Sequence, residues 1–142
     1  MQFQFNDGGR GAAGYTGKTG DCVTRAIAIA TGKPYQEVYD AINEHATRER
    51  HGSRKRGISN ARTGVYKQTI RRYMESIGWT WHPTMQIGSG CKVHLKSEEL
   101  PAGRLVVSLS KHSAAVIDGT LHDIYDCTRD GTRCVYGYYK EA

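Results

Sequence analysis

The stretch TGDCVTRAIAIATG, residues 19–32, decides the fold. Asp21 is a good N-cap residue, and Gly32 is a good helix stop. Between them Val23, Ala26, Ile27 and Ala30 share one helical face, and Ala28 and Ile29 widen it. A helix apolar nearly all round belongs at the centre of a domain. Cys22 therefore stands at the mouth of a buried helix, where it can serve as a small core residue, a metal ligand or a nucleophile.

Beyond Gly32 the helical period continues. Pro34 suits the first turn of a second helix, with Tyr35, Val38, Tyr39, Ile42 and Ala46 as its stripe. The polar run RERHGSRKRGISNART breaks the period. A third helix is predicted from about Gly64, with Tyr66, Ile70, Tyr73, Met74 and Ile77 inward and Gly78 as its stop. Thereafter the period is two. WTWHPTM, KVHL, GRLVVSLS and RCVYGYY read as strands, and HSAAVIDGTLHDIYD reads as a hairpin turning at Asp118-Gly119. At the other end FQFNDGG begins as a short strand and runs into Gly-rich loop. Helices first and antiparallel strands second predict a single α+β domain over 1–142: N-terminal helices, Cys22 at the head of the central one, packed on a C-terminal antiparallel sheet.

Composition bounds the class. With 38% hydrophobic and 24% charged residues the chain reads as soluble and globular. No run approaches the ~18 apolar residues of a membrane span. No basic-then-apolar leader is visible, so the expected location is cytoplasmic, and the four cysteines (Cys22, Cys91, Cys127, Cys134) are expected as free thiols. Net charge is +6, yet residues 47–72 alone carry +8, so the remainder is net −2. The basic patch (Arg48, Arg50, Arg54, Lys55, Arg56, Arg62) is local.

The chemistry centres on Cys22. At a helix N-terminus the positive end of the dipole and the free backbone N–H groups favour thiolate, the reactive form. The Cys22 N–H is also placed to meet a developing oxyanion. A nucleophile needs a base, and the base needs an orienter. A turn centred on Asp118-Gly119 makes cross-strand partners sum to 237, so His112 faces Tyr125 and has Asp123 as its diagonal neighbour on the same face. This register excludes His122 and Asp126 from that face. Asp118 and Asp126 are the rival carboxylates nearby.

Cys at the start of a central N-terminal helix, further helices, and then His and Asp on paired strands resembles the papain-like cysteine peptidase fold. The motifs GDCVTRAIAIA and KHSAAVIDGTLHD are similar to those of bacteriocin-processing (double-glycine) peptidase domains and of short uncharacterised phage and bacterial proteins. The resemblance implies Cys22 as nucleophile, His112 as base and Asp123 as orienter, a thioester intermediate, a peptide or protein substrate, and no cofactor or metal. Those families place a Gln several residues before the Cys to donate to the oxyanion. Here Thr16 and Lys18 lie in that region, leaving Thr16 and Asn6 as the candidate oxyanion donors.

Other readings stand beside this one. A buried structural thiol and an ordinary strand histidine would account for Cys22 and His112 singly. Cys91, His94, His122, Cys127 and Cys134 suggest zinc, but their spacings are loose and no Cys-x-x-Cys pair exists. Gly17-Lys18-Thr19 resembles the end of a phosphate-binding loop, but the position of its first Gly holds Ala12 and no parallel βα pattern surrounds it. A transferase or amidase would carry the same triad. From a different class comes a non-enzymatic phage or bacterial effector that holds nucleic acid or an acidic partner through the basic segment 47–72.

Overall fold

The computed structural model describes residues 1–17, 19–49, 57–86 and 88–142. Along the chain run β1 (Gln2–Phe5), α1 (Cys22–Thr31), α2 (Tyr35–Ala46), α3 (Lys67–Ser76), β2 (Trp79–Pro83), β3 (Arg104–Leu109), β4 (His112–Ile117), β5 (Thr120–Asp123) and β6 (Gly137–Glu141). The strands form one sheet in the order β1-β5-β4-β3-β6-β2. The class is α+β, as the order of periodicities predicted.

The sheet is mixed, which corrects the expectation of an antiparallel one. β1 lies parallel to β5, with Gln2 opposite Thr120 and Phe5 opposite Asp123, while the other pairings are antiparallel. β1 is separated from the other strands by all three helices, so no hairpin constrains its direction. Two further boundaries move. α3 starts at Lys67 rather than near Gly64, because Asn60 and Gly64 close a small turn of their own through a 2.8 Å backbone bond. KVHL forms only an isolated bridge, His94 with Cys134, and the last strand starts at Gly137.

Both faces of the sheet are covered, which explains why Leu105, Val106 and Val107 of β3 are apolar in succession. On one face Val106, Ala115 and Tyr139 pack with Ile27, Val38, Ile42 and Met74 of the helices. On the other, Leu105, Val107, Val116 and Leu121 pack with Leu95, Leu100, Cys127 and Val135 from connecting segments. α1 behaves as its composition demands, with Val23 to Ala30 all buried. Gly32 ends it in the left-handed conformation, φ 75°, donating its N–H to the Ala28 carbonyl at 3.0 Å.

Cys91 and Cys134 are joined by a disulfide, and Cys22 and Cys127 are free. This corrects the expectation of four free thiols and disposes of Cys91 and Cys134 as metal ligands. The bond closes a loop spanning a sequence separation of 43 residues. Restricting an unfolded loop of that size contributes about 2–4 kcal/mol. Urea titration of the double variant Cys91→Ser, Cys134→Ser should show a loss of that size, and the parent in reductant should match it. Equal stability in all three samples would contradict the assignment.

Candidate active site

The site forms where the head of α1 meets the start of β4 and the end of β5. The predicted register holds: Ala115 pairs with His122, Val116 with Leu121 and Ile117 with Thr120, each summing to 237. The turn residues Asp118 and Gly119 take φ 46° and 78°, the pair of positive angles that a two-residue hairpin of this twist requires. That register puts the His112 Nε2 2.6 Å from Asp123 Oδ2 and the His112 ring 5.4 Å from the Tyr125 ring. Asp123 is only 3% exposed.

Cys22, at the head of α1, comes under the influence of this imidazole, of the Ser113 backbone N–H and of Arg25. Burial pushes the Cys22 pKa up. The hydrogen bond and charge of His112, the Ser113 N–H and the charge of Arg25 outweigh it, so the thiol lies below its ordinary value. Burial alone would lower the His112 pKa. Hydrogen bonds to Asp123, Cys127 and Cys22, together with the charge of Cys22, raise it instead to about 11. Both shifts run against desolvation and in the same sense, toward a thiolate–imidazolium pair.

A buried ionic tie holds α1 against the sheet. Asp21 sits at the N-cap position of α1, but its carboxylate makes no capping bond. It accepts from Tyr35 Oη at 2.7 Å and from Arg10 Nε at 3.1 Å, and it pairs with Arg25 one turn along the helix. Arg25 Nη2 in turn reaches Asp123 Oδ1 at 3.7 Å. The loop leading to Cys22, the helix that carries it and the strand that carries the orienter thus share one charge network.

Other expected residues lie elsewhere. The Asn6 amide contacts His122 Nδ1 at 3.3 Å, and its carbonyl oxygen accepts the Gly8 N–H at 2.8 Å. Thr16 is exposed, and its carbonyl oxygen accepts from Arg10 Nη2 at 3.0 Å. No contact places either on the thiol. The rival carboxylates are engaged apart from the site: Asp126 Oδ1 accepts from the Thr128 N–H at 2.9 Å, and Asp118 Oδ1 from the Gly103 N–H at 2.8 Å. Of the basic patch, Arg48 and Arg62 are exposed, and Arg48 Nη2 pairs with Glu44 at 3.4 Å. Arg50, Arg54, Lys55 and Arg56, like Lys18, lie outside the described residues.

Three participants escaped sequence reading. The Ser113 N–H has no side-chain signature. Cys127, 2% exposed, reaches His112 from a connecting segment with no period. Arg25 did leave a signal: a charged residue four positions after Asp21 in an otherwise apolar helix demands a buried partner.

His112, Asp123 and Cys127 have potential ligand atoms within 4.8 Å of one another. Around a tetrahedral zinc, N and O ligands stand roughly 3.3 Å apart. The 2.6 Å His112–Asp123 contact is too close for that, and a shared proton fits it. Asp123→Asn keeps the shape and removes the charge that fixes the ring. It should lower any Cys22-dependent turnover by about 10²–10⁴-fold, with an unchanged circular dichroism spectrum. Full activity in Asp123→Asn would remove Asp123 from the relay.

Comparison of the chain with protein-family models, with curated proteins and with solved structures gives no match.

Proposed function

We propose that the protein is a cysteine peptidase- or amidase-like hydrolase of papain-like layout, working through Cys22, His112 and Asp123. The observation that carries this reading is the 2.6 Å bond by which the buried Asp123 carboxylate fixes the His112 ring, with the Cys22 thiol at the helix head held below its ordinary pKa by that same imidazole. Because Nε2 is held by Asp123, Nδ1 is the nitrogen left to exchange a proton with Cys22.

The steps follow from that tautomer. The Cys22 thiolate attacks an amide carbonyl, forming a C–S bond and pushing an electron pair onto oxygen. The Cys22 backbone N–H, one of the free donors of the first helical turn, stabilises that oxyanion. The oxyanion collapses, the C–N bond breaks, and the His112 imidazolium gives its proton to the leaving amine. Neutral His112 then takes a proton from water as the hydroxide oxygen attacks the thioester, and collapse of the adduct breaks the C–S bond and expels the Cys22 thiolate. The products are a carboxylic acid and Cys22 with its proton again shared with His112. An acceptor other than water would make the same site a transferase.

The reading is tested with p-nitrophenyl acetate. One acetyl group per chain should accumulate on Cys22, found by peptide mass spectrometry and removed by hydroxylamine. Acetylation spread over lysines, or absent, would contradict it. We place the protein in the cytoplasm, where the Cys91–Cys134 pair would be held reduced and the fold would stand on its core.

A further inference from the structure

Beside the site lies a cavity of about 400 Å³. This is within the ~300–1,000 Å³ of small-ligand pockets. It adjoins the site along β4, where Ser113, the chain neighbour of His112, lines the cavity. The walls are aromatic. Trp81 and Tyr139 have ring centroids 4.9 Å apart. Trp81 can lie so deep because Gly137 has no Cβ; one placed there would be 2.4 Å from the indole. Tyr136 completes the wall, and Lys67 Nζ stands 5.9 Å over its ring.

The charge of the rim is one-sided. Lys67 and Arg71 line the cavity, and among the described residues no acidic one does. Arg71 is already paired with Glu75 at 2.9 Å. Lys67 is exposed and has no carboxylate partner among the described residues. An aromatic floor under one uncompensated cation fits an occupant that is both aromatic and anionic.

We infer that this cavity is the substrate-specificity pocket, and that it takes a bulky aromatic side chain accompanied by an adjacent carboxylate, as in an acidic–aromatic peptide segment. The assignment rests on the hydrolase reading for what happens to the bound segment, but not for the binding itself. A thiolate at Cys22 would attack the amide that this anchoring brings to it.

The test uses three peptides, N-acetyl-Glu-Phe-Gly, N-acetyl-Glu-Ala-Gly and N-acetyl-Gln-Phe-Gly, each as its chloromethyl ketone. Alkylation forms a C–S bond at Cys22 and expels chloride. Each rate is divided by the iodoacetamide rate at the same thiol, which reads reactivity without the pocket. Phe should exceed Ala by about tenfold or more, from burial of the ring. Glu should exceed Gln by about threefold, and Lys67→Glu should reverse that order. Lys67 is exposed, so this variant should keep the fold, which its circular dichroism spectrum and thermal melt check. Equal rates for Phe and Ala would overturn the pocket. A Phe preference with no Glu preference, unchanged by Lys67→Glu, would overturn its anionic half. If Cys22 is inert to iodoacetamide, the hydrolase reading fails instead. The pocket is then judged by tryptophan quenching with the three peptides as C-terminal amides, where the same order and the same reversal are expected and equal affinities would overturn it.

Discussion

Cys22→Ala is expected to lower hydrolysis of an activated ester or amide by a factor on the order of 10⁴–10⁶. Removing the nucleophile leaves only the binding surface and the helix-start N–H groups, which alone give small accelerations. The fold should survive. Cys22 is at the first position of α1, only partly buried at the edge of the helical core. Its stability should stay within about 1 kcal/mol of the parent. A thermal melt beside the ester assay separates these effects. Retained hydrolysis in a folded Cys22→Ala protein would move the chemistry elsewhere.

The second large effect is on stability. Asp21 is 1% exposed and answers two guanidinium groups, Arg10 and Arg25, and the Tyr35 hydroxyl. In Asp21→Ala the buried Arg25 keeps only the longer 3.7 Å contact with Asp123. Breaking one partner of a buried pair typically costs about 3–5 kcal/mol. Burial, and then the hydrogen bond and charge of Asp21, hold the Tyr35 hydroxyl protonated far above its ordinary range. Tyr35 should therefore titrate closer to that range in the variant. Urea unfolding reads the first effect and ultraviolet titration of the tyrosines the second. A loss below about 1 kcal/mol would show that Arg10 and Arg25 are solvated without Asp21.

How much of this was legible in the sequence depends on how local each feature is. α1 was readable because its burial is written in consecutive residues and its stop is a glycine. The His112–Asp123 contact was readable because a two-residue turn fixes every cross-strand pair in the hairpin. β1 was placed as a strand, but its parallel partner was not, since nothing near residues 2–5 records what lies over a hundred residues away. The Cys91–Cys134 bond was missed for the same reason: cysteine spacing does not reveal which segments a fold brings together. Asp21 was read as a helix cap. It holds that position but gives its carboxylate to Arg10, Arg25 and Tyr35, because buried guanidinium groups need an anion more than the helix needs a cap. Thr16 lies where the resembled families carry their oxyanion Gln, and Asn6 was expected to reach in from the N-terminal loop, but the path of a Gly-rich loop is not written in its sequence. The specificity cavity draws on α3, β2, β3, β4 and β6, so no single stretch could announce it.

The pH dependence follows from the two shifts. Cys22 becomes thiolate as pH rises through its lowered pKa, and His112 remains imidazolium until pH passes about 11. Between those limits the pair is charged and acyl transfer should be maximal, rising on the thiol limb and falling on the imidazolium limb. The same pair contributes to stability with opposite limits. The His112 contribution is present below its ordinary pKa and is lost as pH rises through about 11. The Cys22 contribution is present above the ordinary thiol range and is lost as pH falls through its lowered pKa.

The thiolate–imidazolium pair is tested by the rate of iodoacetamide labelling of Cys22 against pH, by peptide mass spectrometry, in the parent and in His112→Ala. Free cysteine titrates near ~8.5, so at neutral pH only a few per cent is thiolate. The parent's labelling should rise well below that range. In His112→Ala burial dominates, so the rise should move to or above the ordinary range, and labelling at neutral pH should fall by about tenfold or more. Superimposable profiles, or a parent Cys22 that titrates like an ordinary thiol, would contradict the thiolate–imidazolium pair and with it the proposed function.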